Sequence, residues 1–225
     1  TEEDQPLWTP APELAGQTQL AEFMRRVGQQ DFPDYHSLWE WSVMNPGAFW
    51  SVVWDFCGIV GEKGAVFLHD GSKMPGAQFF PQARLNYAEN LLRRRDSETA
   101  LIFHAETGAE RGLSFAELYD RVSRWAQALK GAGVQAGDRV AGYMPNMPET
   151  IVAMLATSSI GAVWSSASPD FGVQGVLDRF GQIEPSVLIG VDAYFYNGKT
   201  VDCLSKVRDV QRQLTGLKTT VIVPF

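Results

Sequence analysis

From Arg139 onward the chain alternates between two textures, and that alternation constrains its fold more than any other feature. Short apolar runs at 139–144, 162–165, 187–191 and 219–223 read as strands. Helical patterns separate them at 148–160, 172–183 and 201–214. Apolar runs without polar alternation suit strands buried on both faces, and a helix between successive strands is what parallel pairing requires. The expected class is therefore α/β, a parallel doubly wound sheet with flanking helices. An open sheet of this kind places ligands at the carboxyl ends of its strands. The loops to inspect are 145–148, 166–171 and 192–200.

Upstream, Ala100-Leu-Ile-Phe103 reads as one more buried strand. Ser114 and Glu117 have the spacing of a capping box, in which hydroxyl and carboxylate each satisfy an end amide. The helix they open carries Phe115, Leu118, Val122, Trp125, Ala126 and Leu129 on one face, and Gly131 and Gly133 end it. Residues 1–98 look different: an aromatic-rich, mainly helical extension holding Trp8, Trp39, Trp41, Trp50 and Trp54. Phe49, Val53 and Phe56 form one helical row, with Trp50, Trp54 and Cys57 beside it, on a helix starting near Pro46. Such a stripe needs covering, and packing onto a neighbouring domain is expected ahead of a ligand groove. Gly and Pro punctuate 58–81 as loops, and 86–95 reads as a short amphipathic helix. The expected organisation is an extension over 1–98 followed by an incomplete α/β subdomain over 99–225.

Bulk properties exclude several function classes. With 45% hydrophobic and 20% charged residues, 225 residues can bury a core. A net charge of −7 argues against nucleic-acid binding, and Arg25-Arg26 and Arg93-Arg94-Arg95 read as solvated helix faces. Cys57 and Cys203 are far apart without CxxC spacing, and His36, His69 and His104 are scattered. Neither a disulfide scaffold nor a metal site is expected. There is no apolar leader and no membrane-spanning run, so a cytoplasmic protein is expected. No GxSxG, no GxGxxG and no Ser/His/Asp set is present, which leaves no catalytic residue to assign.

Three motifs invite a functional reading beside a plain one. Ala193-Tyr-Phe-Tyr-Asn-Gly198-Lys199-Thr200 follows a strand and is expected to open a helix, as a phosphate-cradling loop does. Ala193 stands where such a loop needs Gly, and three consecutive aromatics oppose its turn. Thr200 is expected to cap the helix, with Lys199 at its N-terminus still able to hold a phosphate. Ser168-Pro169-Asp170 suits a helix start, Ser168 capping and Asp170 facing the dipole, with ligand contact as an added role. Asn146-Met-Pro148-Glu149 is likewise a helix start, and Asp138 caps or turns before a strand.

One ordered set of motifs carries a resemblance: Ser114-Phe-Ala-Glu-Leu118, Gly137-Asp-Arg-Val140, Tyr143-Met-Pro-Asn146, Pro148-Glu149 and Gly161-Ala-Val163. It resembles the early part of the acyl-adenylate-forming enzymes. Trp8, the stretch Tyr35…Leu38…Trp41-Ser42…Pro46 with Phe49-Trp50, and Phe80 ahead of Leu85–Leu92 narrow this to the acetyl-CoA synthetase branch. Within it, Leu85-Asn-Tyr-Ala-Glu-Asn-Leu-Leu92 and Gly161-Ala-Val-Trp-Ser-Ser-Ala-Ser-Pro-Asp-Phe-Gly172 look most like acetoacetyl-CoA synthetases. The resemblance covers nearly the whole chain.

The resemblance implies a two-step ligase. Acetoacetate and ATP, with Mg2+, give an acyl-adenylate and pyrophosphate, and the CoA thiol then displaces AMP. Adenylation turns a poor carboxylate leaving group into a good phosphate one. The family's Ser/Thr/Gly-rich phosphate loop ending in Lys does not occur before Phe225, so no catalytic residue carries over. This stretch is expected to be inactive without the remainder of the same chain and to bind none of these ligands tightly. By resemblance, CoA contacts map onto Ser168, Pro169 and Asp170 in one loop and Tyr196 and Lys199 in another. The match is imperfect: acetyl-CoA synthetases carry an aromatic followed by glycines in the first loop, and usually Arg where Lys199 stands. A sibling ligase for acetate or propionate, a free-standing α/β nucleotide-binding module, and a purely structural or interaction domain stay open as alternatives.

Overall fold

A computed structural model describes residues 8–28 and 32–225. The chain divides into two compact units, Thr1–Leu85 and Asn86–Phe225. The first holds α1 (Pro12–Gly16), α2 (Gln19–Val27), α3 (Tyr35–Met44) and α4 (Pro46–Phe56), then a two-stranded ribbon of β1 (Leu68–His69) and β2 (Gln78–Phe79). Pro46 opens α4 as expected, its fixed φ suiting a first turn. The apolar row on α4 is covered in part inside its own unit. Phe23 of α2 meets Phe49 and Phe56 edge-on at 5.9 and 5.2 Å, while Trp50 and Trp54 meet Phe79 and Phe80.

The second unit begins with α5 (Tyr87–Leu91), capped by the Asn86 side chain, which also donates to the Ser158 carbonyl at 3.0 Å. Ala88 is fully buried there. Next come β3 (Thr99–His104), β4 (Glu110–Ser114) and α6 (Phe115–Gly131). The capping box at Ser114 and Glu117 is formed from both sides, and Leu118, Val122 and Leu129 are the buried stripe of α6. β3 departs from expectation. It pairs antiparallel with β4 in a separate two-stranded sheet, and Ile102 is 68% exposed. A short apolar run looks the same whether its second face meets core or solvent.

The remaining elements are β5 (Arg139–Tyr143), α7 (Pro148–Ser159), β6 (Val163–Ala167), α8 (Val173–Phe180), β7 (Val187–Val191), β8 (Ala193–Tyr196), β9 (Lys199–Asp202), α9 (Leu204–Gln213) and β10 (Thr219–Val223). Strands β10, β7, β5 and β6 lie in that order in one parallel sheet. All five residues of β7 are buried, the two-sided burial that its apolar run implies. On one face Val140, Val187 and Ile189 pack with Leu118 and Val122 of α6 and Val152 and Leu155 of α7. On the other, Ala141, Tyr143 and Leu188 pack with Val176 and Phe180 of α8 and Val207 and Val210 of α9. Helices thus cover both faces, and the doubly wound parallel sheet is as expected. Arg139 fastens the end of α8, donating to the carbonyls of Ile183 and Glu184 at 2.7 and 3.0 Å. Glu149 in the first turn of α7 pairs with Arg111 at 2.9 Å and Arg121 at 3.6 Å, tying that helix to β4 and α6.

Two local expectations are corrected. The 193–200 stretch opens no helix: β8 and β9 pair as an antiparallel hairpin. Asn197 and Gly198 form its tip with φ of 50° and 70°, the left-handed pair that a tight hairpin turn demands. Thr200 is therefore a strand residue opposite Phe195, and α9 starts only at Leu204. Ser168 does not cap α8, which begins at Val173 behind Gly172 with no side-chain cap. The Ser168–Phe171 segment is a turn ahead of the helix.

Candidate functional site

Strand order places the point where connections reverse between β5 and β7. The chain runs from β5 outward to β6, then returns across β5 to β7 and on to β10. The carboxyl ends flanking such a reversal splay apart and leave a crevice. Three segments follow the strand ends on that side of the sheet: the turn after β6, the β8–β9 hairpin after β7, and the loop after β5 with Asn146. The last lines a cleft of about 290 Å³ together with Phe103, His104, Met147 and Ile151.

The turn and the hairpin are joined by side chains. Asp170 is the centre: Tyr194 donates its hydroxyl to Oδ1 at 2.5 Å and Ser168 donates to Oδ2 at 2.8 Å. Lys206 of α9 donates to the Pro169 carbonyl at 3.0 Å. Tyr143, the fully buried last residue of β5, donates to the Phe171 carbonyl. Asp192 closes the other side, its Oδ1 accepting from the amides of Ala193 at 2.8 Å and Phe225 at 2.9 Å.

These contacts set the charges. The Tyr194 hydroxyl first, then Ser168, holds the Asp170 carboxyl below the usual carboxylate range. The same bond pushes Tyr194 up to about 12. Burial, with Cys203 and Asp170 adding to it, pushes Tyr143 up to about 12, and burial raises the Cys203 thiol. At neutral pH Asp170 is an anion held by neutral donors. Neither tyrosine is poised as a base, and the cluster is built to hold a shape.

The five residues singled out from sequence fall into two groups. Ser168, Pro169 and Asp170 lie in the braced turn. Tyr196 and Lys199 are cross-strand partners beside the hairpin tip, exposed to solvent, with Tyr196 66% accessible. Lys199 carries no ion pair among the described residues. Residues alternate faces along a strand, so Tyr194, Tyr196 and Lys199 share one hairpin face. The same hairpin that carries Lys199 therefore reaches the turn through Tyr194. Sequence reasoning passed over Tyr143, Tyr194 and Lys206. The usable signals were Asn197-Gly198, which announces a hairpin, and a tyrosine closing a parallel strand.

A family model described as AMP-binding enzyme matches residues 88–224. This chain belongs to the AMP-binding enzymes. A second model, acetyl-coenzyme A synthetase N-terminus, matches residues 35–91. The acetoacetyl-coenzyme A synthetase of Rhizobium meliloti is 52% identical over 225 residues, covering 99% of this chain and 34% of that protein. The acetoacetyl-CoA synthetase of Xenopus tropicalis is 42% identical over 92% of this chain and 32% of its own length. The solved acetoacetyl-CoA synthetase from Streptomyces lividans superposes with a TM-score of 0.92 at 40% identity, across 98% of this chain and 35% of that one. The chain thus spans about a third of the length of the relatives it matches. No helix among the described residues is long and apolar enough to cross a membrane.

Proposed function

We propose that this chain is the N-terminal part of an acid–thiol ligase that joins acetoacetate to CoA through an acyl-adenylate, with release of AMP and pyrophosphate. The observation that carries this reading is 52% identity to an acetoacetyl-coenzyme A synthetase across 99% of the chain. On this reading residues 1–98 are the aromatic-rich extension, with α5 at its end docked on α7, and 99–225 are the first α/β subdomain. ATP, Mg2+ and acetoacetate are bound with the help of the remainder of the same protein, in the cytoplasm. This stretch alone is inactive and holds none of the ligands tightly.

The residues here belong to the thiol half of the reaction. CoA presents phosphates and an adenine ring. Lys199, exposed and without an ion pair among the described residues, supplies a point charge for a phosphate, and the exposed Tyr196 ring beside it offers a stacking face. The Ser168–Asp170 turn lies on the same end of the sheet. CoA supplies the sulfur nucleophile; these residues bind and orient it.

Assay of the full-length protein with ATP, CoA and each of acetoacetate, acetate and propionate tests the reading. Acetoacetyl-CoA and AMP should form with acetoacetate preferred by kcat/KM. Preference for acetate or propionate would reassign the substrate, and saturable ATP binding by the 225-residue chain alone would favour a free-standing nucleotide module.

A further inference from the structure

The turn after β6 and the hairpin after β7 belong to different strands, with the end of β5 between them. Little of the backbone holds the turn, whose internal bond is Phe171 N–H to the Ser168 carbonyl at 3.1 Å. What fixes it is a set of side-chain donors rooted in the core. Tyr143 is fully buried and Tyr194 is 9% exposed, so both hydroxyls are aimed by packing rather than by solvent. Both carboxylate oxygens of Asp170 are occupied, one by Tyr194 and one by Ser168. A carboxylate engaged in this way is a strut, and its charge would oppose rather than bind a phosphate.

Tyr194 stands opposite Val201, and two residues along on the same hairpin face Tyr196 stands opposite Lys199. Its hydroxyl is therefore the side-chain link between the strand that carries the exposed cation and the turn across the crevice. Lys206 makes the matching link from α9 to the Pro169 carbonyl. We infer that Tyr194 and Lys206 are positioning residues for the thiol substrate. Tyr194 locks the hairpin bearing Lys199, and Lys206 locks α9, to the Ser168–Asp170 turn, so that hairpin and turn present one preformed surface to CoA with a phosphate at Lys199. Preformation matters because ordering a loop at the moment of binding weakens the observed affinity. This inference rests on the ligase reading above and adds residues and a role to it.

The test uses the full-length protein with Tyr194→Phe, Asp170→Ala, Lys206→Met and the Tyr194→Phe/Asp170→Ala pair. Removing a bond to a charged group that positions a binding surface should raise the KM for CoA, and its Kd by titration calorimetry, roughly tenfold. kcat at saturating CoA should change less than about twofold, because an interaction that serves ground and transition state alike shows in KM. The double variant should be no worse than Asp170→Ala alone, since that substitution already cuts the Tyr194 link. A merely structural role would lower kcat and melting temperature with Kd unchanged, and that result would overturn the inference. An active enzyme whose Tyr194→Phe and Lys206→Met variants keep the parental Kd overturns it too, and leaves the ligase reading standing. An unsubstituted full-length protein that forms no CoA thioester from any short acid overturns both.

Discussion

Gly190 is where the sheet admits α9, and replacing it with Ala gives a sharp test of that packing. Gly190 sits in β7 between Tyr143 of β5 and Ile222 of β10. A Cβ built there would lie 2.8 Å from Cγ2 of Val207, closer than carbon atoms approach, and 3.1 Å from its Cγ1, a tight contact. Val207 is 2% exposed, and a β-branched side chain in a helix has one strongly preferred rotamer, so it cannot swing aside. The helix must lift or the strand must shift. Overpacking of this kind costs about 1–3 kcal/mol. The stiffer unfolded chain of the Ala variant offsets about 0.5–1 kcal/mol. A net loss of about 1–2 kcal/mol in a chain of 225 residues lowers Tm by roughly 3–6 °C. Urea unfolding followed by circular dichroism, alongside thermal melts, measures it. Val207→Ala alone removes two buried methyl groups and costs about 2 kcal/mol. Combined with Gly190→Ala it makes room for the new methyl, so the double variant should be more stable than the sum of the singles by about 1–2 kcal/mol. A Gly190→Ala protein that melts with the parent, or a strictly additive pair, refutes the proposed contact.

Further outcomes follow from the two buried tyrosines, Asp170 and Phe180. Of the six tyrosines, Tyr143 and Tyr194 should ionise late, at about 12, in an ultraviolet titration, and Tyr194→Phe should remove one of those two late steps. Their folded values lie above the ordinary 10, so the stability they contribute is complete below pH 10 and lost as pH rises towards 12. Asp170 runs the other way: depressed in the fold, it contributes above the ordinary carboxyl value of 3.8 and loses that contribution as pH falls through its lowered value. Phe180, fully buried between α8 and the sheet, should lose about 3–5 kcal/mol on replacement by Ala, read as a shift in urea midpoint.

Much of this architecture is legible in the chain itself, for a local reason. The strand at 187–191 is a continuous apolar run because both its faces are covered, and the helices on either side of the sheet carry one apolar face. Ser114 and Glu117 are three residues apart, so their capping box depends on nothing distant. Asn197-Gly198 carried an equally local signal, a turn with two positive φ angles, hidden by the likeness of its neighbourhood to a phosphate loop.

What the tertiary structure alone decided is which surfaces and side chains meet. The run at 100–103 has a strand's composition, but only its pairing with 110–114 leaves Ile102 in solvent. Ser168 has a cap's chemistry, yet the helix starts at Val173, and its hydroxyl turns to Asp170 instead. The site depends most on this. Asp170 and Tyr194 are twenty-four residues apart in sequence and join only because the strand order brings the ends of β6 and β7 to either side of β5. Hydrophobic period and capping act over a few residues and can be read in sequence. A hydrogen bond between loops on different strands depends on the order of the strands in the sheet, and long-range packing sets that order.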